Sequence, residues 1–195
     1  MPFWSTNFGQ NSTLKDPKRK HRFTVEFQGI NAAQGGALLW YAKTATKPGF
    51  SVNAAEHKYL GHTFYYPGNV TWDAVTVTLV DPVDPDVTAT FSDIVVAGGY
   101  TPPTDANSLG TISKAKAAGA LGTVLITQLD GDGNPIESWT LWNAFIMSVK
   151  QDDLDYTSDD LSTTTVELRF DWARVETLTN SSAVNGSGGN EFFRA

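Results

Sequence analysis

The stretch WYAKTATKPGFSVNAAEHKYLGHTFYYPGNVTWDAVTVTLVDP, Trp40 to Pro82, decides how the chain is read. It holds a strand, a Pro48-Gly49 break, a strongly aromatic run, a Pro67-Gly68 break and the longest alternating strand. Proline fixes its own φ and glycine permits positive φ, so each pair is expected to bend or loop the chain. Residues 50–66 read as two short strands or one hairpin. From Val70 to Val80, Trp72, Ala74, Thr76 and Thr78 share one face, while Val75, Val77 and Leu79 share the other. One strand of that length spans on the order of 35 Å. Apolar side chains on both faces predict a central strand, or one packed on the core and on a neighbouring subunit. His57 and His62 are five apart, so on one continuous strand they would face opposite sides and could not share a ligand.

Working outward, Phe23, Val25 and Phe27 alternate with polar residues in a half-buried strand. A second strand is expected from about Ala37 to Thr46. Before them, residues 15–22 gather five of the fourteen basic side chains, and the plainer reading is a solvated lead-in to the first strand. Residues 1–14 read as an extended arm carrying Phe3 and Trp4. After Pro82 a helix is expected over about 84–98. Asp84 caps it, Pro85 takes the first position, and Val87, Phe91 and Ile94 or Val95 form its buried face before Gly98-Gly99. A short second helix fits residues 113–121.

Further on, Thr123–Leu129 and Ile136–Val149 read as strands around the turn DGDGNP. Thr164, Val166, Leu168, Phe170 and Trp172 form one face of a clean amphipathic strand. Residues 178–195, rich in Asn, Gly and Ser, read as a flexible tail tipped by Phe192 and Phe193. The organisation is therefore an arm (1–14), a domain (15–177) and a tail (178–195). The fold class is mainly β: an antiparallel barrel or sandwich with one flanking helix.

Chemistry is sparse in the 195 residues. A net charge of −7 argues against a general nucleic-acid binder, and without cysteine there is no disulfide framework or thiol nucleophile. Charged residues, at 18%, fall below the quarter usual in soluble proteins, which suggests that something covers part of the surface. Asp130, Asp132 and Asn134 resemble the start of a calcium loop, but Pro135 stands where the glycine belongs and Leu141 where the bidentate glutamate belongs. The aspartates of residues 151–160 read as a solvated loop. No nucleophile elbow or phosphate loop appears, so no catalytic, metal or cofactor site is assigned. No apolar run approaches the roughly 20 residues of a membrane helix, and the Met-Pro-Phe-Trp start lacks a signal-peptide pattern, so the chain is expected to be cytosolic when made.

The order strand, TATKPGF, tyrosine-rich strand, YPG, NVTWDAVTVTLVDP and capped helix resembles the tail tube proteins of contractile-tailed bacteriophages. DPKRKHRFTVEF and LSTTTVELRFDWARVE are similar to that family's first and last strands. The resemblance implies hexameric rings, whose sheets join around a lumen and which stack into a tube. DNA would pass through that lumen without specific binding. It implies sheath, baseplate and tape-measure proteins as partners, no membrane binding by this subunit, no enzymatic activity, and a place in the virion tail after assembly in the host cytoplasm. The loop reaching the next ring maps to Lys47, Pro48, Gly49, Phe50, Ser51 and Val52. Phe3, Trp4, Phe192 and Phe193 are candidate arm contacts. The alternatives are a tube subunit of a related injection or secretion system, a baseplate tube initiator and, from another class, a monomeric β-barrel binding module.

Overall fold

A computed structural model describes residues 18–30, 42–84, 86–104, 110–181 and 189–193. In chain order they form β1 (Phe23–Phe27), β2 (Ala42–Ala45), β3 (Phe50–Tyr59), β4 (His62–Trp72), β5 (Val75–Val80), α1 (Val87–Ala97), α2 (Lys114–Leu121), β6 (Val124–Leu129), β7 (Pro135–Trp142), β8 (Phe145–Gln151), β9 (Thr163–Arg169), β10 (Trp172–Ser181) and β11 (Gly189–Phe192). Two antiparallel sheets, β1-β6-β7-β10-β11 and β2-β5-β9-β8, enclose the core, and β3-β4 form a third sheet of their own. The described residues thus make a sandwich with a projecting arm and no closed barrel.

Two long ribbons, each bent once, explain this layout. In the first, β2 pairs with β5 and β3 with β4, and the chain breaks at the same level on both strands. The long strand expected over Val70–Val80 is therefore two. Asp73 and Ala74 interrupt it, and the Asp73 amide donates to the Gly49 carbonyl at 2.9 Å across the bend. The interruption changes the parity of the side chains: Trp72 enters the core together with Val75, Val77 and Leu79 instead of opposing them. Apolar residues on two faces of a straight strand become one buried face of a bent one.

The second Pro-Gly pair does not end a strand as expected. β4 runs through Pro67-Gly68, and the irregularity appears as a bulge: Val52 pairs with Val70 but Ala54 with Pro67. Proline is tolerated because both strands of a two-stranded sheet are edges, with no further neighbour needing its missing N–H. The hairpin turns at Leu60 (φ 47°) and Gly61 (φ 81°), two positive-φ residues that give the twist suited to a two-residue hairpin loop.

In the second ribbon, β7 pairs with β10 in the five-stranded sheet, and their continuations β8 and β9 pair in the four-stranded one. The strand expected over Ile136–Val149 therefore divides at Asn143, and the one ending at Trp172 divides at Phe170-Asp171. Asn143 has φ 54°, a left-handed conformation that asparagine accepts more readily than most residues. Its side-chain amide donates to Asp171 Oδ2 at 2.8 Å, joining the two corners, and Lys114 Nζ donates to both Asp171 oxygens at 2.7 Å. Such bends let one pair of strands serve both layers. Phe170 is buried before the corner and Ala173 and Val175 after it, so the alternation again shifts by one.

The helices cover one side of the sandwich. α1 starts at Asp86, whose carboxylate accepts the Ala89 amide at 2.9 Å, two residues later than the cap expected at Asp84. The carboxylate of Asp81, just before the helix, accepts instead from Thr88 at 3.2 Å. Val87 and Phe91 are buried, and Phe91 meets Phe27 edge-on at a centroid distance of 5.9 Å. α2 is present as expected, capped by Ser113, and ends at Gly122 (φ 70°) against the end of β1. There the Gly29 amide donates to the Leu121 carbonyl at 3.0 Å; a Cβ on Gly29 would lie 2.4 Å from Leu121 backbone, so the two segments meet without side chains.

The C-terminal segment also departs from expectation. β10 continues to Ser181, and β11 returns antiparallel along it, pairing Val175 with Phe192 and Glu176 with Glu191. Residues 189–192 are thus an edge strand rather than a free tail. Arg174 ties this edge by reaching Glu176 and Glu191, each at 2.8 Å.

Candidate assembly surface

The arm formed by β3 and β4 is the surface that the fold itself does not explain. Its strands carry 21 residues, of which Trp72 alone is buried. Opposed residues of an antiparallel pair point to the same face, so the register arranges the side chains. Beyond the bulge, His57, Tyr59, His62, Phe64 and Tyr66 share one face, while Glu56, Lys58, Thr63 and Tyr65 share the other. The turn thus places His57 and His62 on one face, whereas a continuous strand would have separated them. Among the described residues no three His, Cys, Asp or Glu side chains are grouped to hold a metal.

Phe64, Tyr65, Tyr66 and Val70 are each about half exposed or more, and Leu60 at the tip is 80% exposed. An isolated two-stranded hairpin is marginally stable in water, and exposed aromatic side chains on both faces make this arm the candidate interaction site. The sequence pattern already contained this signal: tyrosines and phenylalanine in consecutive positions, Phe64-Tyr65-Tyr66, supply apolar groups to both faces of a strand.

Two clamps hold the root of the arm. The first is polar. Glu137, on β7, is buried, and its carboxylate accepts from Lys47 Nζ at 2.5 Å, from Trp139 Nε1 at 2.7 Å and from Lys18 Nζ. Lys47 also donates to Gln128 Oε1 at 2.7 Å, and Gln128 donates to the Arg19 carbonyl at 2.9 Å. Burial alone would raise the Glu137 pKa, but the bonds from Lys18, Lys47 and Trp139 outweigh it and lower the value from 4.5 to about 2. The basic lead-in is therefore docked, at Lys18 and Arg19, on the same polar cluster as the arm root.

The second clamp is aromatic. Phe193 stands 5.3 Å from Phe50 and 5.2 Å from Trp72 between ring centroids, and Trp72 stands 5.9 Å from Phe170 in the core.

The residues expected to reach another ring therefore divide. Lys47, Pro48 and Gly49 lie at the root, with Lys47 engaged by Glu137 and Pro48 buried. Phe50, Ser51 and Val52 begin the arm itself, with their side chains partly open to solvent. The outermost residues are Tyr59–His62, which residue spacing alone did not single out. Phe193 packs within its own chain, and Phe192 belongs to β11. Phe3 and Trp4 lie outside the described residues.

Elsewhere, Asp130 spends its carboxylate on its own turn, accepting the Asp132 and Asn134 amides at 2.8 Å each, as a hairpin turn does. Trp142 and Trp172 stack at 6.2 Å beside the corner.

Residues 19–173 match the family described as T4-like virus tail tube protein gp19. No curated protein matches the chain in sequence. Solved structures share the fold. A chain of the anti-feeding prophage tube-terminating cap is 16% identical with a TM-score of 0.60, covering 89% of this chain and 99% of that one. A chain of the extended sheath-tube complex of an extracellular contractile injection system, PVC, is 17% identical with a TM-score of 0.60, covering 87% and 100%. A chain of the anti-feeding prophage baseplate is 18% identical with a TM-score of 0.57, covering 83% and 97%.

Proposed function

The chain belongs to the family of T4-like virus tail tube proteins, and from that premise we propose that six copies close into a ring and that rings stack into the inner tube of a contractile tail. The family is a structural one, so the work of the molecule is assembly. The observation that carries the reading is the arm, a long hairpin whose apolar side chains find no cover among the described residues of their own subunit. A neighbouring copy supplies that cover.

Closure of the ring uses the four-stranded sheet. Among the described residues, β2 and β8 have no strand on their outer edges. Pairing β8 of one copy with β2 of the next would satisfy those edges and remove a site of uncontrolled association. The net charge of −7 suits a conduit through which DNA slides without adhering. Sheath, baseplate and tape-measure proteins are the partners this role requires, and the virion tail, assembled in the host cytoplasm, is its place.

A second reading keeps the same architecture: the tube of a related injection system, or a tube initiator at its baseplate. It is favoured by the likeness to cap, sheath-tube and baseplate chains of such machines. Electron microscopy of the purified protein tests both readings, with six-fold rings or stacked tubes expected. A strictly monomeric species at high concentration in sedimentation would leave only the monomeric binding module.

A further inference from the structure

The β8–β9 pair carries unlike features at its two ends. At the corner end, where Phe145 opposes Arg169, a cleft of about 590 Å³ opens between the arm root, the start of α2 and the corner. Its walls mix apolar Val70, Ile112 and Phe145 with Lys114, Arg169 and Asp171. Asp171 is occupied by Lys114 and Asn143, and Arg169 forms no ion pair with a described residue, so the cleft keeps an excess positive charge.

At the far end, past Gln151 opposite Thr164, the connection of residues 152–162 carries five aspartates, with Leu154 and Tyr156 fully exposed among them. It is held in shape by its own bonds. Asp152 accepts from the Thr163 amide at 3.0 Å, and Asp155 accepts from the Thr157 amide at 2.9 Å and hydroxyl at 2.8 Å. Asp153 and Asp159 remain exposed without a bond to a described side chain.

We propose that the 152–162 loop of one copy docks into the corner cleft of a copy in the adjacent ring, with Tyr156 or Leu154 against the apolar wall and Asp153 or Asp159 facing Arg169. The inference rests on the stacking reading and adds which surfaces meet. Its support is threefold. Acidic and apolar groups on the loop complement basic and apolar groups in the cleft. The two surfaces lie about 20 Å apart at opposite ends of one ribbon, so they cannot meet within a subunit and can meet only head to tail. A head-to-tail contact is also the kind that repeats without limit along an axis, as a tube requires. The arm leaves the body at the cleft end, so the incoming loop would seat beside the arm root while the arm extends along the same neighbour.

The absence of cysteine makes the test direct. A chain carrying Tyr156→Cys and Ile112→Cys is assembled and mildly oxidised with diamide. Cysteines join only when their Cα atoms come within about 7 Å, so no bridge can form inside one subunit. Dimers, trimers and higher multimers on a non-reducing gel, collapsing to monomer with reductant, are expected from assembled tubes. Tubes visible by microscopy that yield only monomer on the gel overturn the pairing and leave the stacking reading standing. If the unsubstituted chain forms neither rings nor tubes, the stacking reading itself fails. Where the first pair impairs assembly, Leu154→Cys with Lys114→Cys decides by the same gel.

Discussion

Phe193, directly after β11, packs its ring at 5.2 Å from that of Trp72, where the arm enters the body. The contact joins the β11 edge to the place where an exposed hairpin becomes a buried strand. Phe193 adopts φ 60°, an uncommon conformation for an aromatic residue, and the ring contacts to Phe50 and Trp72 hold it there. These contacts brace the root of the arm, and an arm ordered in advance would lose less entropy on binding.

Phe193→Ala is therefore expected to lower stability by about 1–2 kcal/mol, the scale of one or two aromatic pairs with part of the ring exposed. The larger effect is expected on assembly, as a rise in the concentration at which tubes form. Phe193→Trp should restore assembly. Chemical denaturation together with light scattering separates the two effects. An unchanged assembly threshold in the alanine variant would assign Phe193 to stability alone.

Acid should loosen the polar clamp. The Glu137 pKa is depressed in the folded chain, so its contribution is complete above the ordinary value of 4.5 and is lost as pH falls from there through about 2. At about 1.4 kcal/mol per pH unit this amounts to about 3 kcal/mol as an upper figure, reduced because Lys18 and Lys47 are half exposed. Glu137→Gln should remove that pH dependence and cost about 2 kcal/mol at neutral pH, through weakened bonds to both lysines. Denaturation midpoints between pH 2.5 and 7 read both outcomes; parallel curves for the two proteins would exclude Glu137 as the source.

The corner at Asn143 gives a prediction with an internal control. Asn143→Val places a β-branched residue at positive φ and deletes the bond to Asp171, for an expected loss of about 2–3 kcal/mol. Asn143→Gly relieves the first problem and keeps the second, so a loss of about 1 kcal/mol is expected. Equal losses would mean that backbone conformation does not matter there.

On the arm, replacing Phe64 and Tyr66 together by aspartate should leave subunit stability within about 0.5 kcal/mol, because neither side chain supports the core. Tube formation should disappear. These positions test the arm more cleanly than Phe50, whose ring also contacts Trp72 and Phe193. Normal tubes from the double variant would remove the arm from the assembly contact.

Core truncations provide the scale. Leu168→Ala, in a site of zero exposure between the sheets, should cost about 2–5 kcal/mol and lower the thermal midpoint without changing how the remaining folded subunits associate.

The sequence by itself determined the elements. Alternation in Phe23–Phe27 and Val75–Val80, the turn DGDGNP, the apolar stripe at Val87 and Phe91, and an acidic, cysteine-free composition were readable because they depend on neighbours within one or two turns of chain. The resemblance carried by Trp40–Pro82 placed the chain among tube proteins for the same reason, since a pattern of strands and breaks is local. Only the tertiary structure decided where strands bend between layers. At Asp73-Ala74, Asn143 and Phe170-Asp171 a uniform alternation conceals a shift of one residue. Such a corner is fixed by a partner far along the chain: Gly49 across from Asp73, and Asp171 across from Asn143. The same holds for the docking of Lys18 and Lys47 on Glu137 and of Phe193 on Trp72, which join residues 90 or more positions apart. A single linear pattern records which side of a strand is apolar; which distant group that side meets depends on how the ribbons fold over one another.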